Sequence, residues 1–483
     1  MEIEMSLGLK TVRGVLWNLA EQFSRRGTNV LVTLLLAYFL TPEDFGLIAM
    51  MALFLALGQS LMNSGFREAL IRLEDATEAD YTTAFCANVL LGLVSYGLLF
   101  ALAPFIAEFY DEPRLTELVR VTSLSVIIMS FQVVQVASLS RALNFKVQLK
   151  ASFPASVLSG ITALLLAYLG MGVWALVAQM VLNSLIHTVL LWFLEAWRPR
   201  ASFSKDVLKR LYGFGYKLFF AGALDTTFKN LYVLVVAKVF AASTAGLYFF
   251  ATKLKELLMA QLLQAVQNVT YPALASVQSD PVRLKQGYRK IVILMTFVIF
   301  PVLIFLAALA EPLFVLLLPS KWHGAVPYFQ LLCIASILLP LHSINLNILK
   351  VKGRSDLFLY LEIVKKIMSG LVLYLTYEHG VIAILLGQIA TSMLSYLPNS
   401  YFSKRLLDYG IIEQLKDVLP ILAVASVFGG VTYTIVNILG TSNALLSTLV
   451  IGPFFALTFF LAMVVFSFEI RTYALQVIQR KAS

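Results

Sequence analysis

Charged residues are scarce in this chain. Asp, Glu, Lys and Arg make up 13% of its 483 residues, while 59% are hydrophobic and mean hydropathy is +0.84. Soluble domains carry about 25% charge, so a water-soluble fold is excluded and an integral membrane protein is implied. Only two cysteines occur, Cys86 and Cys333, both inside apolar runs, so no disulfide framework is encoded. His187, His323, His342 and His379 are scattered and no cysteine pair has ligand spacing, so no metal site is expected. A G-x-x-x-x-G-K-[ST] phosphate loop is missing, which excludes ATP hydrolysis by that route. Polar loops are short as well. The longest outer loop, 108–117, is too small for a glycosyltransferase or ligase centre, and the chain reads as a non-enzyme.

What is present is a series of fourteen apolar segments, from 12–40 to a last pair at 419–439 and 443–467. The fold class is therefore all-α, polytopic, with about 14 membrane-spanning helices. The first run is too long for a signal-peptide core and lacks a small-residue cleavage site, so it is read as retained. With both termini cytoplasmic, the inner segments hold most of the 37 lysines and arginines, and the outer loops hold only Arg114, Arg120 and Lys321. That asymmetry obeys the positive-inside rule. The net charge of +10 is thus a topology signal, and no nucleic-acid partner is expected.

The chain repeats itself at an offset near 200. Ala37 to Leu47 aligns without a gap on Ala237 to Leu247, matching Gly46-Leu47 with Gly246-Leu247. Further on the offset drifts, so that Tyr81 matches Tyr288 and Pro104 matches Pro312. Six spans separate equivalent positions, so the repeats are parallel, as in transporters with two like halves. Three parts follow: 1–200 with spans one to six, 201–403 with spans seven to twelve, and 404–483 with the last two spans and a cytoplasmic tail. Thr41, Pro42, Glu43 and Asp44 form a helix start signal. Residues 65–73 are amphipathic and expected at the inner interface. Pro104, Pro154, Pro272, Pro301 and Pro340 predict kinks.

The charges inside the spans carry the functional reading. Asn18, Glu21, Gln22, Arg25 and Asn29 recur at helical spacing near the middle of the first span, and Arg26 lies beside them. A charge at the bilayer centre costs at least ~2.5–3.5 kcal/mol, so such residues usually face a cavity or a partner. A structural Glu21–Arg25 bridge, with Arg26 gripping a neighbouring helix, is one reading. An anion-binding surface is favoured, because two adjacent arginines outnumber one carboxylate. The repeat maps Arg25 to Asp225 and Asn29 to Lys229, giving a second i,i+4 pair at mid-depth in span seven. Asp225 and Lys229 either neutralise each other or exchange partners with a proton or sodium ion. Span eight adds Lys253, Lys255 and Glu256, then Gln261, Gln264, Gln267 and Asn268; Lys255 points away from the face shared by Lys253 and Glu256. Glu362, Lys365 and Lys366 are read as paired or snorkelling, and Gln179, Asn183 and His187 as interhelical hydrogen bonding.

Gly14-Val-Leu-Trp-Asn18, the Ala37-x8-Gly46-Leu47 turn, its echo at Ala237-x8-Gly246-Leu247, and Tyr271-Pro272-Ala273-Leu274 together resemble a known family. It is the Wzx-type polysaccharide repeat-unit flippases of the multidrug/oligosaccharidyl-lipid/polysaccharide exporter superfamily, in the branch with colanic-acid and teichuronic-acid exporters. The resemblance implies two pseudo-symmetric six-helix lobes in a V around a central cavity, plus a C-terminal helix pair. It further implies flipping of undecaprenyl-pyrophosphate-linked oligosaccharide across a bacterial inner membrane by alternating access. Arg25 and Arg26, then Lys229, Lys253 and Lys255, are the expected substrate-binding residues; Asp225, Glu21 and Glu256 are the expected ion-coupling ones. No cofactor is expected beyond a coupling proton or sodium ion. Membrane lipids, a polysaccharide polymerase and a chain-length regulator are the expected partners. The peptidoglycan-precursor branch is expected to have its own arginine pattern, which this chain does not match residue by residue. Two alternatives stand beside this reading: a cation-coupled multidrug antiporter on the same scaffold, and a non-transporting scaffold for polysaccharide assembly.

Overall fold

Apolar runs of this length must close their backbone hydrogen bonds internally, and helices do so within one segment. The computed structural model describes residues 7–73, 75–275, 277–440 and 444–466, and among them no β-strand occurs. The helices are α1 (Leu7–Phe39), α2 (Pro42–Asn63), α3 (Phe66–Arg72), α4 (Glu78–Tyr110), α5 (Leu115–Thr122), α6 (Leu124–Ser130), α7 (Val133–Arg141), α8 (Phe145–Tyr168), α9 (Val173–Leu194) and α10 (Lys205–Val239). They continue as α11 (Ala242–Ala275), α12 (Pro281–Ala308), α13 (Ala310–Leu317), α14 (Val326–Ala335), α15 (Leu339–Val351), α16 (Ser355–Thr376), α17 (Val381–Leu407), α18 (Ile411–Leu439), the short α19 (Ala444–Leu446) and α20 (Gly452–Phe466). Among the described residues 9 helices are long and apolar enough to cross a membrane, or 10 if one bent pair counts as a single span. The chain is a multi-pass membrane protein. Helix α16 misses the apolar standard because Glu362, Lys365 and Lys366 fall within any stretch of it that could span.

Two compact units divide the contacts, Met1–Phe249 and Phe250–Ser483. This is a division of packing, and it leaves the repeat register at 200/201 where the sequence match places it. In the first unit α1 packs on α8, α8 on α9, and α2 on both α4 and α10. The expected start signal is realised as a capping box: Asp44 N–H donates to Thr41 Oγ1 at 3.3 Å, and Thr41 N–H donates to the Asp44 carboxylate at 2.8 Å. Thr77 and Asp80 form a second box at the head of α4. Helix α3 buries Phe66, Ala69 and Leu70 against Ala84, Ala87, Val134 and Leu211, so its apolar face packs on protein. The sharpest departure from expectation is the fourth span. It bends by 42° between Leu115–Ser130 and Val133–Arg141, at Phe131 and Gln132, where no proline stands. Side chains of α9 cover the carbonyls freed there: Trp192 Nε1 donates to Phe131 O at 2.9 Å and Thr188 Oγ1 to Ile128 O at 3.2 Å. Pro104, Pro154 and Pro301 lie inside unbroken helices, and Pro340 opens α15 after a turn; Pro272 lies outside the described side chains.

The second unit is held by α12 against α18, and by α14, α15 and α16 against α17. A buried polar network joins several of its helices, since burial without partners costs about 1–3 kcal/mol per group. Asn345 Oδ1 accepts from Tyr288 and, at 2.6 Å, from Ser403; Tyr396 donates to Gln414 Oε1 at 2.8 Å. Beside this network Arg289 donates to both oxygens of Asp417, at 2.6 and 2.7 Å. Helix α18 is therefore fastened along α12, and α20 sets Phe455 and Phe459 edge-on against Phe428 of α18. The arrangement echoes the first unit, where Arg210 of α10 pairs with Asp80 of α4.

Candidate substrate site

Helix α1 carries the first group of charges. Arg25 Nε donates to Glu21 Oε1 at 2.9 Å; the Glu21 side chain is 13% exposed and that of Arg25 45% exposed. Gln22 is buried and donates to Asn18, while Arg26 and Asn29 are half-buried. One turn-to-turn ladder of polar side chains thus runs along α1, with Arg25 as its open end. On α10, Lys229 Nζ and Asp225 Oδ2 are 2.6 Å apart, with the lysine 73% and the aspartate 46% exposed. Both i,i+4 pairs anticipated from spacing form.

Magnitudes decide whether these pairs are structural. An exposed i,i+4 pair stabilises a helix by only ~0.3–0.5 kcal/mol, against the ~2.5–3.5 kcal/mol cost of a charge at mid-bilayer. Pairing alone does not offset insertion. Both cations are exposed on the protein surface, where a further partner can reach them. In the second unit, Lys253 lies 3.7 Å from Glu256, too long for a hydrogen bond, with both half-exposed. Lys255 is half-buried, within electrostatic reach of Glu256 and, after it, of Cys333 on α14. Lys365 pairs with Glu362, as expected for a satisfied group. Asn183 bonds Ser159 of α8 at 3.2 Å, which fulfils the interhelical role foreseen for it. Gln261, Gln264, Gln267, Asn268 and Tyr271, Pro272 and Ala273 of the Tyr271–Leu274 motif lie outside the described side chains, as does Lys217, a further lysine within span seven.

A cleft in the first unit adds residues that the sequence analysis passed over. Its volume is about 440 Å³, and it is lined by Ala56, Gln59, Ser60, Asn63, Gly65, Glu68, Phe219 and Thr226. Residues 56, 59, 60 and 63 form one face of α2 by their i, i+3, i+4, i+7 spacing. The available signal was a run of Gln59, Ser60 and Asn63 at the end of an otherwise apolar span. Thr226, on the opposite wall, sits between Asp225 and Lys229 in α10. The described residues contain no group of three or more His, Cys, Asp or Glu placed to hold a metal ion.

An all-helical, multi-pass chain with ionisable pairs inside its spans is the description of a membrane transporter, and the comparisons place it more narrowly. The Polysaccharide biosynthesis protein family model matches residues 35–327, and the chain belongs to that family. It is 25% identical over 401 residues to the lipopolysaccharide biosynthesis protein WzxC of Escherichia coli, covering 81% of each chain. It is 25% identical over 324 residues to the teichuronic acid biosynthesis protein TuaB of Bacillus subtilis, covering 67% of each. The succinoglycan biosynthesis transport protein ExoT of Rhizobium meliloti is also 25% identical, over 76% of this chain and 75% of that one. These matches bear out the resemblance to Wzx-type exporters. Among solved structures, the lipid II flippase MurJ superposes with a TM-score of 0.73 at 14% identity, covering 93% of this chain and 99% of that one. An inward-facing multidrug transporter of the MATE family superposes with 0.59 at 16% identity, over 84% and 97%. The fold is that of these two-lobe helical transporters.

Proposed function

We propose that the protein flips undecaprenyl-pyrophosphate-linked oligosaccharide repeat units from the inner to the outer leaflet of a bacterial cytoplasmic membrane, for polysaccharide export. The observation that carries the proposal is the pair of exposed cations at mid-span: Arg25, 45% exposed above Glu21, and Lys229, 73% exposed above Asp225. Pyrophosphate presents clustered negative oxygens, which arginine meets with two parallel charge-assisted hydrogen bonds. In this reading Arg25 and Arg26 take the pyrophosphate, and Lys229 exchanges Asp225 for it. Lys253 and Lys255 of the second unit are further anion ligands. The carboxylates of Glu21, Asp225 and Glu256, released from their cations, bind a proton or sodium ion until the anion leaves. Outward movement of negative charge is favoured by an inside-negative potential, by roughly 2.3 kcal/mol per charge per 100 mV. The termini face the cytoplasm, and a polymerase and chain-length regulator act on the product.

Deletion of the gene in its host, with staining of lipid-linked oligosaccharide on each membrane face, tests this. Accumulation on the cytoplasmic face, reversed by the wild-type gene but not by Arg25→Ala/Arg26→Ala, is expected. Unchanged lipid-linked glycan in the deletion strain would overturn the proposal and direct attention to efflux of cationic dyes.

A further inference from the structure

We infer that the cleft between α2, α3 and α10 is a saccharide subsite, built to hold an uncharged sugar of the cargo and not its phosphates. The inference rests on the flippase reading for its cargo and on the cleft's own chemistry for its ligand class. At about 440 Å³ the cleft falls in the ~300–1,000 Å³ range of small-molecule sites. Its polar side chains are Gln59, Ser60, Asn63, Glu68 and Thr226, and Phe219 offers an aromatic ring. No lysine or arginine lines it among the described residues, and Glu68 contributes a negative charge. Among the described residues a phosphate would meet that carboxylate with no cation to answer it. A sugar is matched group by group. Amide NH2 groups donate to ring and hydroxyl oxygens, amide and carboxylate oxygens accept from hydroxyls, and an aromatic ring covers the apolar C–H face of a pyranose.

Two further features separate this cleft from ordinary packing. The first is polar groups left open. Gln59, Ser60, Asn63 and Glu68 make no side-chain hydrogen bond or ion pair among the described residues, whereas Asn345 and Gln414 in the second unit are fully engaged. Polar side chains that fold stability does not use, gathered on one cavity wall, are placed for a ligand. The second is a rigid frame. A Cβ on Gly215 of α10 would stand 2.3 Å from Ser64 O, so α10 abuts the α2–α3 turn directly. That turn is made by two consecutive left-handed residues, Ser64 at φ 38° and Gly65 at φ 70°. On the far side of α2, a Cβ on Gly58 would meet Leu99 of α4 at 2.7 Å. Gln59 and Asn63 therefore project from a helix clamped on both flanks, which suits recognition.

The test measures binding of two probes to the full-length protein in lipid nanodiscs. One is undecaprenyl pyrophosphate; the other is the same lipid carrying the oligosaccharide that accumulates in the deletion strain. The wild type should prefer the glycan-bearing lipid by about tenfold, the yield of two or three neutral hydrogen bonds. Gln59→Ala/Asn63→Ala should reduce the preference to about twofold and leave affinity for the bare lipid unchanged. Retained preference, equal weakening of both probes, or no preference in the wild type would each overturn the subsite and leave the flippase reading intact. Binding of neither probe by the wild type would sink the flippase reading and the subsite with it. Should the double variant lose its folded, monodisperse form, Thr226→Trp fills the cleft from the opposite wall and must abolish the same preference.

Discussion

Gly46 and Gly246 occupy the same position in the two sequence repeats, and in the folded chain they touch. A Cβ built on Gly46 would stand 1.9 Å from Ala242 O, and one built on Gly246 would stand 1.6 Å from Pro42 O. Pro42 and Ala242 are themselves repeat equivalents, so the contact is reciprocal. The heads of α2 and α11 cross backbone to backbone within the first unit, about a local two-fold relation that the sequence repeat implies.

Because the blocking atoms are backbone carbonyls and cannot swing aside, Gly46→Ala and Gly246→Ala should each destabilise the protein by about 1–3 kcal/mol. Gly97 has open space around its would-be Cβ. Gly97→Ala should be neutral or stabilise slightly, since alanine is the better helix former by ~0.5–1 kcal/mol. Melting temperatures of the three variants in one detergent decide the matter. Equal melting of Gly46→Ala and Gly97→Ala would refute the close contact.

This crossing also shows how far the sequence could be read. Glycine at two equivalent turns signalled a repeat, and composition with charge asymmetry signalled the class. The i,i+4 pairs at Glu21–Arg25 and Asp225–Lys229 followed from helical spacing alone, because such pairs are local. What depends on neighbours from distant segments was not legible. The bend at Phe131 carries no breaker residue and is stabilised by Trp192 and Thr188, some sixty positions away. The cleft residues Gln59 and Asn63 acquire meaning only when Phe219 and Thr226 face them. The tie of α18 to α12 likewise needs Arg289 and Asp417, which no local pattern links.

That tie should matter more than its exposed neighbours. Arg289 meets Asp417 with two parallel bonds, and the aspartate is only 11% exposed and also accepts from Tyr409 at 2.6 Å. Removing one partner leaves a largely buried charge, so Asp417→Ala and Arg289→Ala should cost about 1–3 kcal/mol after allowance for the exposed guanidinium. Arg283, paired with Asp280 in the open, offers the contrast: Arg283→Ala should cost at most ~1 kcal/mol. Urea or thermal midpoints of the purified variants give the ranking. A ranking in which Arg283→Ala costs as much would refute it.

Acidity should loosen the connection between α4 and α5. The Arg114 guanidinium, which also binds Glu43, donates to Glu112 at 2.7 Å, and this bond and charge hold the Glu112 carboxyl below the ordinary carboxylate range. A depressed carboxylate stabilises the fold above its unfolded value of about 4.3 and ceases to do so as pH falls through the lower folded value. The stability difference between wild type and Glu112→Gln should therefore be constant near neutrality and shrink below about pH 4. Amide exchange in the loop before α5, followed against pH in both proteins, reads this out. A difference that grows on acidification would contradict the assignment.

The Glu21–Arg25 pair poses the last question, whether it is a strut or a switch. As a strut it contributes only ~0.3–0.5 kcal/mol, and Glu21→Gln should change nothing beyond a small loss of stability. As a switch it holds Arg25 until an anion arrives. Glu21→Gln would then leave the guanidinium without its carboxylate, tightening binding of undecaprenyl pyrophosphate several-fold while slowing flipping, because the anion is released less readily. Arg25→Ala should weaken the same binding about tenfold or more, in keeping with charged hydrogen bonds of ~1.5–3 kcal/mol. Affinity and flipping rate in proteoliposomes, measured on both variants, separate the cases. Opposite changes in affinity, with slower flipping in both, are the signature of a switch; unaltered binding in Glu21→Gln would make the pair a strut.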